Sequence, residues 1–198
     1  ITVHILAVRS GLLSLYIGLA VYFTIYIYRK RYFGVGLLVI LAFGGFVYLS
    51  PKLFPTIKKK IGYTLYSLDK LQQNKVENYS DTKRWASMDV GWKMFSDNYL
   101  FGVGPGDLKK EATILYDQHY PGIDKKMRLL PHNQFLRIGA SVGVLGLCIF
   151  LLMLIWPLWH LSALENPLFF AFMLSSISSF FVEGTVETQR GTAYFLLI

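Results

Sequence analysis

Four stretches of this 198-residue chain, 11–28, 32–51, 138–164 and 166–182, contain no Asp, Glu, Lys or Arg. A helix that crosses a hydrocarbon core of ~30 Å needs about 20 predominantly apolar residues, with a lower bound of roughly 17. All four stretches reach that length. The charge missing from them is concentrated elsewhere, since most of the 20 basic and 12 acidic residues fall between Lys52 and Arg128. With 54% hydrophobic and 16% charged residues, the chain departs from the roughly 45–50% and 25% of soluble domains. This distribution excludes a soluble globular fold and a disordered chain. The single cysteine, Cys148, lies inside an apolar stretch and leaves no disulfide scaffold within the chain.

The pattern predicts an all-α integral membrane protein, a multi-span helical bundle forming one membrane domain over 1–198. Spans are expected at about 11–28, 32–51, 134–160 and 166–182, with one large, partly helical external loop at 52–133. The opening octet, Ile1 to Val8, reads as the end of an upstream span, and 191–198 as a partial span leading onward. The chain is therefore expected to be a fragment of a longer bundle.

Orientation follows from the short basic connection Arg29-Lys30-Arg31. Short loops rich in Lys and Arg stay in the cytoplasm. Span 11–28 then runs inward, 32–51 runs outward, and 52–133 lies on the external side. That loop carries 14 Lys and Arg against 9 Asp and Glu. Its length exceeds the ~60 residues beyond which loops translocate largely regardless of charge.

Under this topology Arg9, the loop, His132-Asn133 and the stretch Glu183 to Arg190 share one side of the membrane. Arg9, between apolar neighbours, suits either an interfacial snorkelling role or a fixed cation for an anionic group. Lys52 to Lys60 is a basic stretch fit for anionic headgroups, and 66–83 is polar and expected to be mobile. Arg84 to Phe95 reads as an amphipathic helix with Trp85, Met88, Trp92 and Phe95 on one face, capped by Asp81 or Thr82. That face would lie in the membrane interface or pack on the rest of the loop. Asn98 to Asp107 contains three glycines beside Pro105 and reads as a tight turn, with Asp107 capping a helix that runs to Tyr116.

Pro131-His132-Asn133-Gln134 leads straight into the third span. At a helix start the positive end of the dipole disfavours imidazolium, so His132 would be neutral and able to accept a proton. Capping by His132 or Asn133 is the structural alternative. Glu183, Glu187, Gln189 and Arg190 bracket Gly184-Thr185-Val186, where the carboxylates would pair with the loop's cations or orient a substrate hydroxyl.

The order of these elements resembles the O-antigen ligase and polymerase family of bacterial envelope polysaccharide assembly. The marks are Arg9-Ser10-Gly11, Arg84-Trp85, the run Asp97 to Gly106, Pro131-His132-Asn133-Gln134-Phe135-Leu136, the glycines of Gly139 to Leu147, and Glu187-Thr188-Gln189-Arg190-Gly191. One departure is Val8, where the family commonly has Ser. The resemblance implies a glycosyltransferase of the membrane GT-C type with an undecaprenyl-pyrophosphate-linked glycan as donor. The acceptor would be lipid A-core, another glycan or a protein. It further implies Arg9 and Arg84 on the pyrophosphate, His132 as catalytic base, and Asn133, Glu187 and Gln189 among the substrate-binding residues.

Guanidiniums suit the leaving diphosphate because they offer forked, charge-assisted hydrogen bonds. The chain has no Asp-x-Asp and no His/Cys cluster of metal-ligand spacing. A metal-independent reaction without cofactor is therefore expected, with membrane lipids as surroundings and no nucleic-acid partner. A polymerase of the same family is the nearest alternative. A non-enzymatic polysaccharide transporter or flippase is the other, although its ionisable groups would sit near the bilayer midplane, where these spans are uncharged.

Overall fold

The computed structural model describes residues 9–55, 80–161 and 165–187, together with 59, 62, 63 and 66. The octet 1–8, Lys58 and Lys60, most of the expected mobile stretch, Gln189, Arg190 and the partial span 191–198 lie outside the described residues. Among them six α-helices occur and no strand: α1 (Arg9–Lys30), α2 (Phe33–Leu53), α3 (Ser80–Asp97), α4 (Leu108–His119), α5 (Gln134–His160) and α6 (Pro167–Phe180). A short 3-10 turn, Lys125–Met127, precedes α5. The chain divides into two compact units, one of 1–63 with 154–179 and one of 64–153 with 180–198.

The four expected spans correspond to α1, α2, α5 and α6. Among the described residues, Gln134–His160 is the one helix long and apolar enough to cross a membrane. Within α2 the run Gly36–Phe46 is apolar throughout. Helix α1 carries four tyrosines and closes on Arg29-Lys30. At 14 residues, α6 extends only about 21 Å at ~1.5 Å per residue. It stops two residues short of the expected Val182, where the chain turns toward Glu183.

In the first unit, α1 and α2 form a hairpin closed by a Schellman turn. Tyr32 N–H donates to Ile27 C=O at 3.2 Å and Arg31 N–H to Tyr28 C=O at 3.3 Å, with Arg31 in the left-handed conformation (φ 55°). Tyr16 meets Phe43 edge to face at 5.1 Å. Helix α6 meets α1 through small side chains: a Cβ at Gly18 would stand 3.4 Å from Ser175 Cβ, and Ser175 Oγ donates to Ser14 C=O at 2.8 Å. Small residues and hydroxyls are what membrane helices use to approach closely, because burying apolar side chains gains nothing against lipid. The outward surface is correspondingly apolar. Leu37, Leu38, Ile40 and Leu41, consecutive around α2 but for one residue, are all at least 60% exposed, a pattern that water would not tolerate over such an area.

The second unit has a conventional core. Ala86, Val90 and Met94 of α3 pack with Leu108, Ala112 and Tyr116 of α4, Ile123 and Ala140. The buried face of α3 is thus its small and aliphatic stripe. The aromatic stripe read from the sequence splits: Phe95 packs against this core, while Trp85 and Trp92 remain about half exposed. Asp81 and Thr82 lie within α3 (Ser80–Asp97), and Thr82 is buried. Asp107 stands at the N-cap of α4 without a side-chain cap bond, and α4 runs past Tyr116 to His119.

Polar clamps fold the segment after α4 back onto this core. Arg128 donates to Asp117 (2.7 Å), Thr113 C=O (3.3 Å) and Ile123 C=O (3.3 Å), and covers the Tyr116 ring. Tyr116 hydroxyl donates to Leu129 C=O at 3.0 Å, and burial pushes its phenol up to about 12. Tyr120 hydroxyl and Lys93 ammonium both donate to Asp89 of α3.

Helix α5 is broken at Gly143 (φ 71°, ψ −170°). In an unbroken helix Val144 N–H would donate to Ala140 C=O. Here it donates to Tyr99 C=O at 2.6 Å, while Ala140 C=O accepts from Val103 N–H (2.8 Å) and Ser141 C=O from Gly104 N–H (2.9 Å). The glycine-rich turn after α3 therefore splints the break, bond for bond. Its glycines are required by contact as well as conformation. A Cβ on Gly143 would lie 2.1 Å from Leu100 O, and one on Gly102 (φ +69°) 2.4 Å from Ser141 C.

Gly143→Ala should therefore destabilise the protein by about 3 kcal/mol or more, combining left-handed strain with an overpacked backbone contact. Gly44→Ala, in the interior of α2 with no atom within 4 Å of the added Cβ, should change stability by less than about 1 kcal/mol. Thermal melts of the two variants in detergent provide the comparison.

Candidate functional site

The residues preceding α5 are fixed from α3. Pro131 is fully buried against Gly91, where a Cβ would stand only 2.8 Å from the proline ring. One turn earlier on α3, Ser87 Oγ accepts from His132 N–H at 3.2 Å and donates to Arg84 C=O at 2.7 Å. One buried hydroxyl thus sets the histidine backbone beside the turn of α3 that bears Arg84. The His132 ring is half-buried, and its Nε2 is buried without a hydrogen-bond partner among the described residues.

The electrostatics around this ring favour the neutral form. Burial holds His132 below the ordinary histidine range, the Arg84 guanidinium adds to the effect, Glu183 opposes it, and Arg137 adds a smaller contribution of the same sign as Arg84. The direction agrees with the neutral form expected from the sequence, with desolvation and neighbouring cations as its cause.

Asn133 performs two tasks. Its Oδ1 accepts from Leu136 N–H at 3.0 Å, which makes it the N-cap of α5, and its Nδ2 donates to Phe181 C=O at 3.1 Å. Gln134, almost completely buried, accepts from Val186 N–H at 3.0 Å and hydrogen-bonds the Glu187 carboxylate. Arg137, one helical turn on, forms an ion pair with Glu187 and lies against Gly184, where a Cβ would stand 3.2 Å from its Nη1. Burial raises the Glu187 carboxyl above its usual range, with the Arg137 charge and the Gln134 bond pulling the other way. Residues 181–187 are thus tied to the first turn of α5 at three points.

The structure brings Arg84, His132, Asn133, Glu183 and Glu187 together in the second unit. Arg9 is the first residue of α1, in the first unit, and Gln189 lies outside the described residues. Sequence reasoning missed Arg137, Gln134 and Ser87. Arg137 carried a signal, being the last charge before a long uncharged run, but that position also reads as an ordinary helix boundary. Among the described residues no three His, Cys, Asp or Glu side chains gather as a metal site would need. The arrangement pairs a proton acceptor with guanidiniums suited to an anion.

The sequence profile of the O-antigen ligase family matches residues 1–151. The chain belongs to the O-antigen ligase family. Members of this family are glycosyltransferase-like enzymes of the bacterial inner membrane, acting in envelope polysaccharide assembly on lipid-linked glycans. No curated protein and no solved structure matches the chain. The O-antigen ligase match takes in Arg84, His132 and Arg137 and ends within α5, before Glu183 and Glu187.

Arg84→Gln should raise the His132 pKa toward the ordinary 6.5, and Glu183→Gln should lower it further. Nitrogen NMR of the imidazole against pH reads both shifts. Because the folded-state pKa lies below the unfolded one, the stability that neutral His132 contributes is complete above about pH 6.5 and drains away as pH falls through the folded value. His132→Gln should remove that part of the pH dependence.

Proposed function

We propose that this chain carries the transfer site of an O-antigen ligase-like enzyme. The reaction moves an undecaprenyl-pyrophosphate-linked glycan onto an acceptor hydroxyl at the periplasmic face of the inner membrane. The observation that supports it is the half-buried His132, its Nε2 without a hydrogen-bond partner among the described residues, anchored through Ser87 beside Arg84 in surroundings that favour the neutral ring.

In this reading the acceptor hydroxyl loses its proton to His132 Nε2 as its oxygen bonds to the anomeric carbon of the donor glycan. The bond from that carbon to the pyrophosphate oxygen breaks, and the undecaprenyl pyrophosphate leaves with the electron pair. Arg84 stabilises the departing diphosphate through charge-assisted hydrogen bonds, which strengthen as charge develops on the leaving oxygens. The guanidinium does so without a divalent ion, so the reaction is read as metal-independent. Holding the histidine neutral is what makes it useful, because an imidazolium has no lone pair for the acceptor proton. Asn133, Gln134 and Arg137 keep 181–187 in place, so that Glu183 and Glu187 stay beside the base. Arg9 and Gln189 enter the proposal through sequence resemblance alone.

His132→Ala and Arg84→Ala should each reduce transfer by roughly 10²-fold or more, with expression unchanged and with chelator present. The assay uses membrane vesicles supplied with the lipid-linked donor and acceptor, resolved by gel. A ligase places glycan on a new acceptor, whereas a polymerase lengthens the glycan on its carrier. Full activity in both variants would overturn the assignment.

A further inference from the structure

The splint across the break in α5 is made by backbone atoms: Tyr99 C=O, Val103 N–H and Gly104 N–H. That task places demands on the glycines of the turn and none on the side chains of Tyr99, Leu100 and Phe101. Yet all three are large and apolar, and they are 57%, 46% and 76% exposed. Turn tips on a water-facing surface favour Gly, Asn, Asp and Ser, so this composition has another cause.

Depth supplies it. Tyr99 is bonded to Val144, seven residues past Arg137, the last charge before the uncharged run of α5. At ~1.5 Å per residue the turn lies about 10 Å along α5 beyond the guanidinium. The ion pair of Arg137 with Glu187 marks polar surroundings, α5 (Gln134–His160) is the one described helix fit to cross a bilayer, and its residues from Ile138 onward are uncharged. The turn is therefore level with the apolar part of that helix. Val142 and Leu145, flanking the break, are also exposed, at 38% and 58%. Behind the turn on α3, exposed Trp92 and Trp85 fit the headgroup level, where amphipathic rings concentrate.

We propose that Tyr99-Leu100-Phe101 is a lipid wedge, a re-entrant tip of the second unit inserted into the hydrocarbon of the leaflet that α5 enters, with lipid acyl chains as its occupant. Re-entrant backbone at this depth is tolerated because the break in α5 and the turn satisfy one another's polar groups. The wedge sets the second unit at a fixed depth in the leaflet. It depends on α5 crossing the membrane and not on the transfer reaction, so it stands or falls separately from the functional reading.

The test uses the full chain in liposomes of phosphatidylethanolamine and phosphatidylglycerol. Cys148 is replaced by Ser, and a nitroxide is attached through Phe101→Cys. Lys109→Cys, on α4, is the aqueous reference and Ile149→Cys, 61% exposed on α5, the lipid reference. The label at 101 should collide several-fold more often with oxygen, which concentrates in hydrocarbon, than with a water-soluble nickel chelate, as at 149 and opposite to 109. Preference for the nickel chelate would place the tip in water and overturn the wedge. Low collision with both would show the tip covered by protein, whether another segment or a second copy, and would overturn it equally. Should the Phe101 variant fail to fold, Leu100→Cys gives the same readout.

Discussion

A helix interrupted in apolar surroundings must find partners for the N–H and C=O groups it releases, since water is not there to take them. In this chain three hydrogen bonds between the turn at 99–104 and residues 140–144 meet that requirement. The rest of the second unit depends on them. They hold the end of α3 against α5, with the Phe95 ring on Gly139 and Gly91 on Pro131. That contact puts Ser87 where it takes the His132 amide. A chain of backbone constraints thus runs from the break to the imidazole.

The same economy governs the polar residues at the start of α5. Three side chains within five positions, Asn133, Gln134 and Arg137, hold Phe181, Val186 and Glu187. Each contact is buried or half-buried, so each partner left alone would retain the cost of its desolvation. The guanidinium of Arg137 serves both as anchor for Glu187 and as one of the positive charges that keep His132 neutral. Geometry and proton affinity at the histidine are coupled through it.

Much of the architecture was legible in the sequence. The uncharged stretches became helices, the basic triplet became the hairpin turn, and Pro131-His132-Asn133 became a capped helix start. What was not legible depended on partners distant in sequence. The glycines of 102–106 read as a turn, but nothing local reveals that the N–H groups of Val103 and Gly104 complete a broken helix some forty residues on. The regular spacing of Trp85, Met88, Trp92 and Phe95 drew attention to one face of α3, whereas the core took Ala86, Val90 and Met94, which pack with Leu108, Ala112 and Tyr116 of α4. Arg137 looked like a boundary charge, and only its contact with Glu187 reveals it as part of the site. The length of α6 was overestimated because absence of charge extends through Val182 while helical geometry ends at Phe180.

The ties between the start of α5 and residues 181–187 bridge 48 to 52 positions of sequence. During synthesis, the first turn of α5 emerges well before the residues that complete it. Until α6 and the residues after it have been made, the Asn133 Nδ2, the Gln134 carbonyl and the Arg137 guanidinium lack the partners seen here. Assembly of the histidine's surroundings is therefore the last local event in the biogenesis of this region, and a nascent chain arrested before Phe181 holds an unfinished pocket.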